Sequence, residues 1–211
     1  MPRAASALLF TTPGCPHCPG MKAALNTLLQ EGVIASLEVV DASTDTGRAQ
    51  TLAVKSVPWL MLGPLQFEGV MPLGELREWA ERAARPDGIK TYCFEMLKSG
   101  KRAKVEQTIR THPEHAAVLA DLLLDPEAGM AVRIGIGAVL EELQGTGLTE
   151  AMTPKLAQIL RMPEPRNRAD AAHFLSLIGG APAFRLLRDC LDDPDAAVRE
   201  IAYDALTRSS S

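Results

Sequence analysis

Long apolar runs are missing from this chain. No stretch approaches the roughly 18 consecutive apolar residues that cross a bilayer, so no membrane partner is expected. Positive charge is short as well: 22 Lys and Arg stand against 26 Asp and Glu, a net charge of −4. Without a basic field the chain lacks the electrostatic footprint of a nucleic-acid binder. Cysteine is sparse. Cys15, Cys18, Cys93 and Cys190 are four thiols in 211 residues, too few for a secreted disulfide scaffold. The opening "MPRAASALLF" has a short apolar run in place of a full signal core. It leads straight into a cysteine motif that a cleaved signal would destroy, so a cytoplasmic setting is expected.

What is present is an ordinary apolar fraction, 46%, on a chain long enough for one large domain or two small ones. The two halves follow different patterns. Residues 6–10, 35–42, 57–62 and 65–69 read as strands, with Gly63-Pro64 turning the last two into a hairpin. Between and after them, "PHCPGMKAALNTLLQEG", "TDTGRAQTLAV" and "LGELREWAERAAR" read as helices. In the first of these, Met21, Ala24, Leu25, Leu28 and Leu29 recur at the spacing of one helical face. The order is β-α-β-α-β-β-α, in which parallel strands need crossover helices.

After "RPDG" no strand pattern follows. "DPEAGMAVRIGIGAVLEEL" (125–143), "MPEPRNRADAAHFLSLIG" (162–179) and "DPDAAVREIAYDAL" (193–206) resemble one another. Aligning Arg133, Arg168 and Arg199 superposes Ile136, Ala171 and Ala202, and also Leu140, Leu175 and Leu206. The segments "HPEHAAVLADLLL", "TPKLAQILR" and "APAFRLLRDCL" read as partner helices. A recurring helix pair that cannot bury its apolar face alone is the mark of a helical solenoid. The third copy, through Asp193, Asp195, Val198, Arg199, Ala202, Ala205 and Leu206, resembles the short HEAT-like repeat.

The chemistry concentrates in "TTPGCPHCPG". A Cys-x-x-Cys pair can be half of a zinc site, a structural staple or a redox couple. Zinc usually needs four ligands, and His112, His115 and His173 lie far along the other half; no metal is expected at the pair. A reducing compartment argues against a permanent staple. The redox reading fits the position, because the pair follows a strand and opens a helix. The positive helix end then favours a Cys15 thiolate, and His17 can stabilise the same charge. Pro16, lacking an N–H, suits a first helical turn. Cys18, deeper and more buried, would resolve the mixed disulfide that Cys15 forms. Cys93 and Cys190 fall in helical patterns as small buried hydrophobes. Trp59 and Trp79 read as packing residues, and "KSGKRAK" as a solvated loop.

Residues 6–85 resemble a thioredoxin-fold oxidoreductase, nearest to glutaredoxins in size and in "TTPGCPHC". The Pro-His pair resembles the strongly oxidising Dsb-type proteins. The resemblance implies that Cys15 and Cys18 are the couple and that Pro58, in "SVPW", is a cis-proline. The backbone of Val57 would then be exposed for pairing with an extended substrate. The expected architecture is therefore an α/β thioredoxin-like domain at 1–86 and an all-α HEAT-like solenoid at 87–211. The expected activity is thiol–disulfide exchange on a protein disulfide or dithiol, with no cofactor beyond the Cys15–Cys18 pair. The repeat domain would bind the substrate or a partner protein. The alternative is an adaptor in which the pair is a redox switch.

Overall fold

The computed structural model describes residues 4–208. The first three residues of the expected 1–86 domain and the last three of the expected 87–211 domain lie outside that range. The described chain falls into two compact units that divide between Tyr92 and Cys93.

The first unit contains β1 (Ala5–Thr11), α1 (Cys18–Gln30), β2 (Ile34–Asp41), α2 (Thr46–Thr51), β3 (Trp59–Leu62), β4 (Leu65–Glu68) and α3 (Leu73–Ala83). The strands form one mixed sheet ordered β2-β1-β3-β4. β1 is parallel to β2, with Phe10 opposite Val40, and antiparallel to β3, with Phe10 opposite Trp59. β3 and β4 form the hairpin, Leu62 facing Leu65. Central position explains why β1 reads as unbroken apolar sequence: both its faces are covered. Leu8 and Phe10 join Ala49, Leu52 and Trp59 in one cluster, where Phe10 meets Trp59 edge to face at 5.7 Å. Leu9, fully buried, points the other way, to the side where α1 and α3 pack on β1. On α1 the buried positions are Cys18, Met21, Leu25 and Leu28, a single helical stripe.

A further helix, α4 (Gly88–Lys98), begins in this unit. β4 is an edge strand, and an edge leaves backbone groups without a strand partner. The buried Tyr92 hydroxyl answers two of them. It donates to the Gln66 carbonyl at 2.7 Å and accepts from the Gln66 N–H at 3.3 Å. Its ring stands edge-on to Phe67 at 5.5 Å and Trp79 at 5.9 Å.

The second unit carries α5 (Arg102–Thr111), α6 (Ala117–Leu123), α7 (Met130–Glu142), α8 (Thr153–Ile159), α9 (Pro165–Ile178), α10 (Gly180–Asp189) and α11 (Ala196–Arg208). It contains no strand among the described residues. α5, α7, α9 and α11 each contact the next, as do α6, α8 and α10, and the two rows meet at α6–α7, α8–α9, α9–α10 and α10–α11. The three aligned arginines do equivalent work. Arg133 donates to the Leu123 carbonyl at 2.8 Å and to Asp170 at 2.7 Å. Arg168 donates to the Met162 and Pro163 carbonyls and makes a two-pronged bond to Asp193 at 2.8 and 2.9 Å. Arg199 donates to the Asp193 and Pro194 carbonyls at 2.6 and 2.9 Å. Each guanidinium thus ties down the chain just before its own helix, Arg168 and Arg199 through loop carbonyls and Arg133 through the last residue of α6. Gly135 inside α7 has a packing reason, since a Cβ there would come within 3.0 Å of the Leu97 side chain. The basic run at 98–104 is divided between the end of α4, a turn at Gly100 and the start of α5, and it is largely exposed. No helix among the described residues is long and apolar enough to cross a membrane.

Candidate functional site

The cysteine loop is built at the C-terminal end of β1. Beyond Thr11, the Cys15 N–H donates to the Thr12 carbonyl at 3.2 Å, closing a turn whose second residue is Pro13, the position proline favours. α1 then starts at Cys18, with His17 in the capping position and Pro19 within the first turn. This differs from the expected helix start: Pro16 lies before the helix, and Pro19 fills the early slot where an absent N–H costs nothing. The later start leaves the Cys18 N–H aimed outward at the helix mouth, where it donates to Cys15 Sγ at 3.1 Å.

Cys15 and Cys18 form a disulfide, their Cα atoms 5.5 Å apart. The two sulfurs do not share one environment. Cys18 is only 4% exposed, on the buried stripe of α1, whereas Cys15 is half-buried and its neighbours Pro16 and His17 are exposed. No acidic side chain occupies the first turn of α1, so no carboxylate opposes negative charge at Cys15 from that turn. The chemistry such a pair can do is a two-electron exchange between disulfide and dithiol.

Strand register brings a second segment to the same end of the sheet. Phe10 pairs with Trp59, so Pro58 and Val57 lie level with the chain just beyond β1, where the cysteine loop begins. The Val57–Pro58 bond is cis. Pro58 is buried and Val57 half-buried, the latter packed on the Leu8–Phe10–Trp59 cluster. Sequence reasoning missed a third segment. The Gly69 N–H donates to the Pro58 carbonyl at 2.9 Å, with Gly69 at φ +86°, a conformation glycine adopts without strain. Two residues on, the Met71 N–H donates to Met21 Sδ at 3.3 Å, fastening the loop to α1 one turn from Cys18. Val70 between them is 58% exposed. The only sequence sign of this segment is an unshielded valine in "FEGVMP".

The other two cysteines stand apart from this chemistry. Cys93 and Cys190 are free and buried. Burial pushes the Cys93 thiol up to about 12. Burial, with Asp193 and Asp189 adding to it, pushes the Cys190 thiol up to about 11. Neither carries a thiolate near neutral pH.

Residues 8–81 match the family model described as a thioredoxin domain. The match takes in the cysteine loop, Pro58 and the whole sheet except the first strand residues. The N-terminal unit is therefore a thioredoxin-like domain, and a close cysteine pair in that setting fits thiol–disulfide redox activity. No curated protein matches the chain.

Proposed function

We propose that the chain is a thiol–disulfide oxidoreductase acting on protein substrates through Cys15 and Cys18. The observation that carries this reading is the asymmetry of the pair. Cys15 Sγ, the more accessible sulfur, already accepts a hydrogen bond from the Cys18 N–H at a helix N-terminus, and Cys18 lies buried one residue into that helix. In the reducing direction the Cys15 thiolate attacks a substrate disulfide, forming a mixed disulfide and releasing one substrate thiolate. The Cys18 thiolate then attacks Cys15 Sγ, releasing the second substrate thiolate and leaving the Cys15–Cys18 disulfide. The substrate gains the two electrons that the dithiol loses; oxidation of a substrate dithiol runs the same steps backwards. Charge at Cys15 is favoured by the helix end and the directed N–H, with His17 a tuner on the exposed rim. Val57 and Pro58, and the neighbouring Val70, form the surface on which an extended substrate segment lies. No cofactor beyond the cysteine pair takes part, and a reducing, cytoplasmic setting suits it.

The helical unit is read as a HEAT-like solenoid that binds the substrate or a partner protein. Its two rows of helices and the shared role of Arg133, Arg168 and Arg199 support the repeat reading. Met130 and Ile134, one turn apart on α7 and 67% and 65% exposed, offer an apolar stripe for contact.

The test equilibrates the protein with glutathione buffers, traps thiols by alkylation and counts them by mass. One two-thiol couple, lost in Cys15→Ser and in Cys18→Ser, is expected, with Cys18→Ser accumulating the mixed disulfide. A steady-state assay with a protein disulfide and excess reductant then separates enzyme from switch. Many turnovers per chain support the oxidoreductase; a single equivalent per chain overturns it in favour of a redox-switched adaptor.

A further inference from the structure

A cluster of lone-pair donors in the helical unit is untouched by the exchange chemistry. α5 ends at Thr111, and His112 leaves the helix with φ −138° and ψ 75°. Pro113 opens a 3-10 turn that runs to Ala116, and the His115 N–H closes back on the His112 carbonyl at 3.0 Å. This turn puts both imidazoles on one side, ring centres 5.6 Å apart. Glu114 reaches between them: its Oε1 lies 3.4 Å from His112 Nδ1 and 4.0 Å from His115 Nε2. The three potential ligand atoms all lie within 4.8 Å of one another.

Those separations are close to what a metal ion requires. Zinc–nitrogen and zinc–oxygen bonds of about 2.0–2.1 Å at the tetrahedral angle put ligand atoms about 3.3 Å apart. Small side-chain rotations close the gap, because the backbone turn is already held. Ala116 anchors it with no exposure at all, while the two histidine side chains are 33% and 29% exposed and Glu114 is 64% exposed. Arg110, the nearest cation in sequence, pairs with Glu142.

We propose that His112, Glu114 and His115 bind one divalent first-row cation of the imidazole-preferring class, with Zn2+ the fitting member. Two nitrogens and one oxygen suit zinc, copper or nickel; calcium and magnesium want more oxygens, and thiolate-seeking ions want sulfur. Three protein ligands leave a fourth position on the solvent side for water or for a donor from another molecule. Bound there, the ion ties the end of α5 to the turn that leads into α6.

The experiment titrates ZnCl2 by calorimetry into the full tag-free chain with the Cys15–Cys18 disulfide intact, so that those sulfurs cannot ligate. One ion per chain is expected, with affinity at least about tenfold weaker in His112→Gln and in His115→Gln. Zinc should also raise the melting midpoint of the parent chain but not of the double variant. Metal-free melting curves of the variants show that they fold. Cobalt loading gives a readout independent of the variants: visible d–d bands without the near-ultraviolet band of a cobalt–thiolate bond support the site. Equal zinc affinity in the double variant, no binding to the parent, or a cobalt–thiolate band overturns it. The result does not depend on the exchange chemistry.

Discussion

Replacing Tyr92 with phenylalanine removes one oxygen atom and leaves the ring in place. That oxygen donates to the Gln66 carbonyl and accepts from the Gln66 N–H on an edge strand, at a residue only 1% exposed. Water reaches such groups poorly, so the cost is that of withdrawing partners from buried polar atoms. Two bonds of about 1 kcal/mol each give about 2 kcal/mol. Tyr92→Ala also deletes a ring wedged against Phe67 and Trp79, and aromatic truncations of that kind add about 3–5 kcal/mol. Both tryptophans, Trp59 and Trp79, belong to the first unit, so tryptophan fluorescence follows that unit's unfolding alone. With a urea slope of about 1–1.5 kcal/mol per molar for a unit of this size, Tyr92→Phe should lower the fluorescence midpoint by about 1.3–2 M. Tyr92→Ala should leave the unit largely unfolded without urea. A Tyr92→Phe midpoint that stays put would refute the assignment of this hydroxyl as the partner of the β4 edge.

Two further outcomes are expected. Asp193 is held below the usual carboxylate range, chiefly by the hydrogen bond from Arg168. A depressed folded value contributes stability that is present above the unfolded aspartate value of about 3.9 and lost as pH falls through the folded one. Asp193→Asn should therefore lower the helical melting midpoint by about 5 °C at neutral pH, and circular dichroism should show the difference shrinking below about pH 3. Native alkylation of the fully reduced chain should label one thiol readily at neutral pH, that of the half-buried Cys15, against four in denaturant, because Cys18, Cys93 and Cys190 are buried and the last two have raised values.

Much of the first unit was legible because its signals are local. "SALLF" reads as a strand, and covered on both faces it is one; the α1 stripe announces itself through Met21, Leu25 and Leu28. Ends were less legible. α1 starts at Cys18 because Pro19, not Pro16, takes the first-turn position, and β3 starts at Trp59 because Pro58 offers no N–H. The role of Tyr92 had no local sign at all, since its partner lies 26 residues away. In the second half the arginine alignment was visible as spacing. What spacing could not show is that each guanidinium reaches back to carbonyls just before its own helix. At the site, the sequence displays the cysteine pair plainly. The Gly69–Met71 loop and the convergence of His112, Glu114 and His115 arise from turns whose consequences are three-dimensional.

The isolation of Cys93 and Cys190 also sets a capacity. The chain has four cysteines, and two of them are free and buried. Under exchange chemistry the molecule then stores one electron pair, with no internal relay to pass it on. In the proposed exchange a complete cycle needs two separate encounters at the half-buried Cys15 sulfur, one with a donor and one with an acceptor, and the two must take turns. The direction of flux is then set from outside, by which of the two arrives more often.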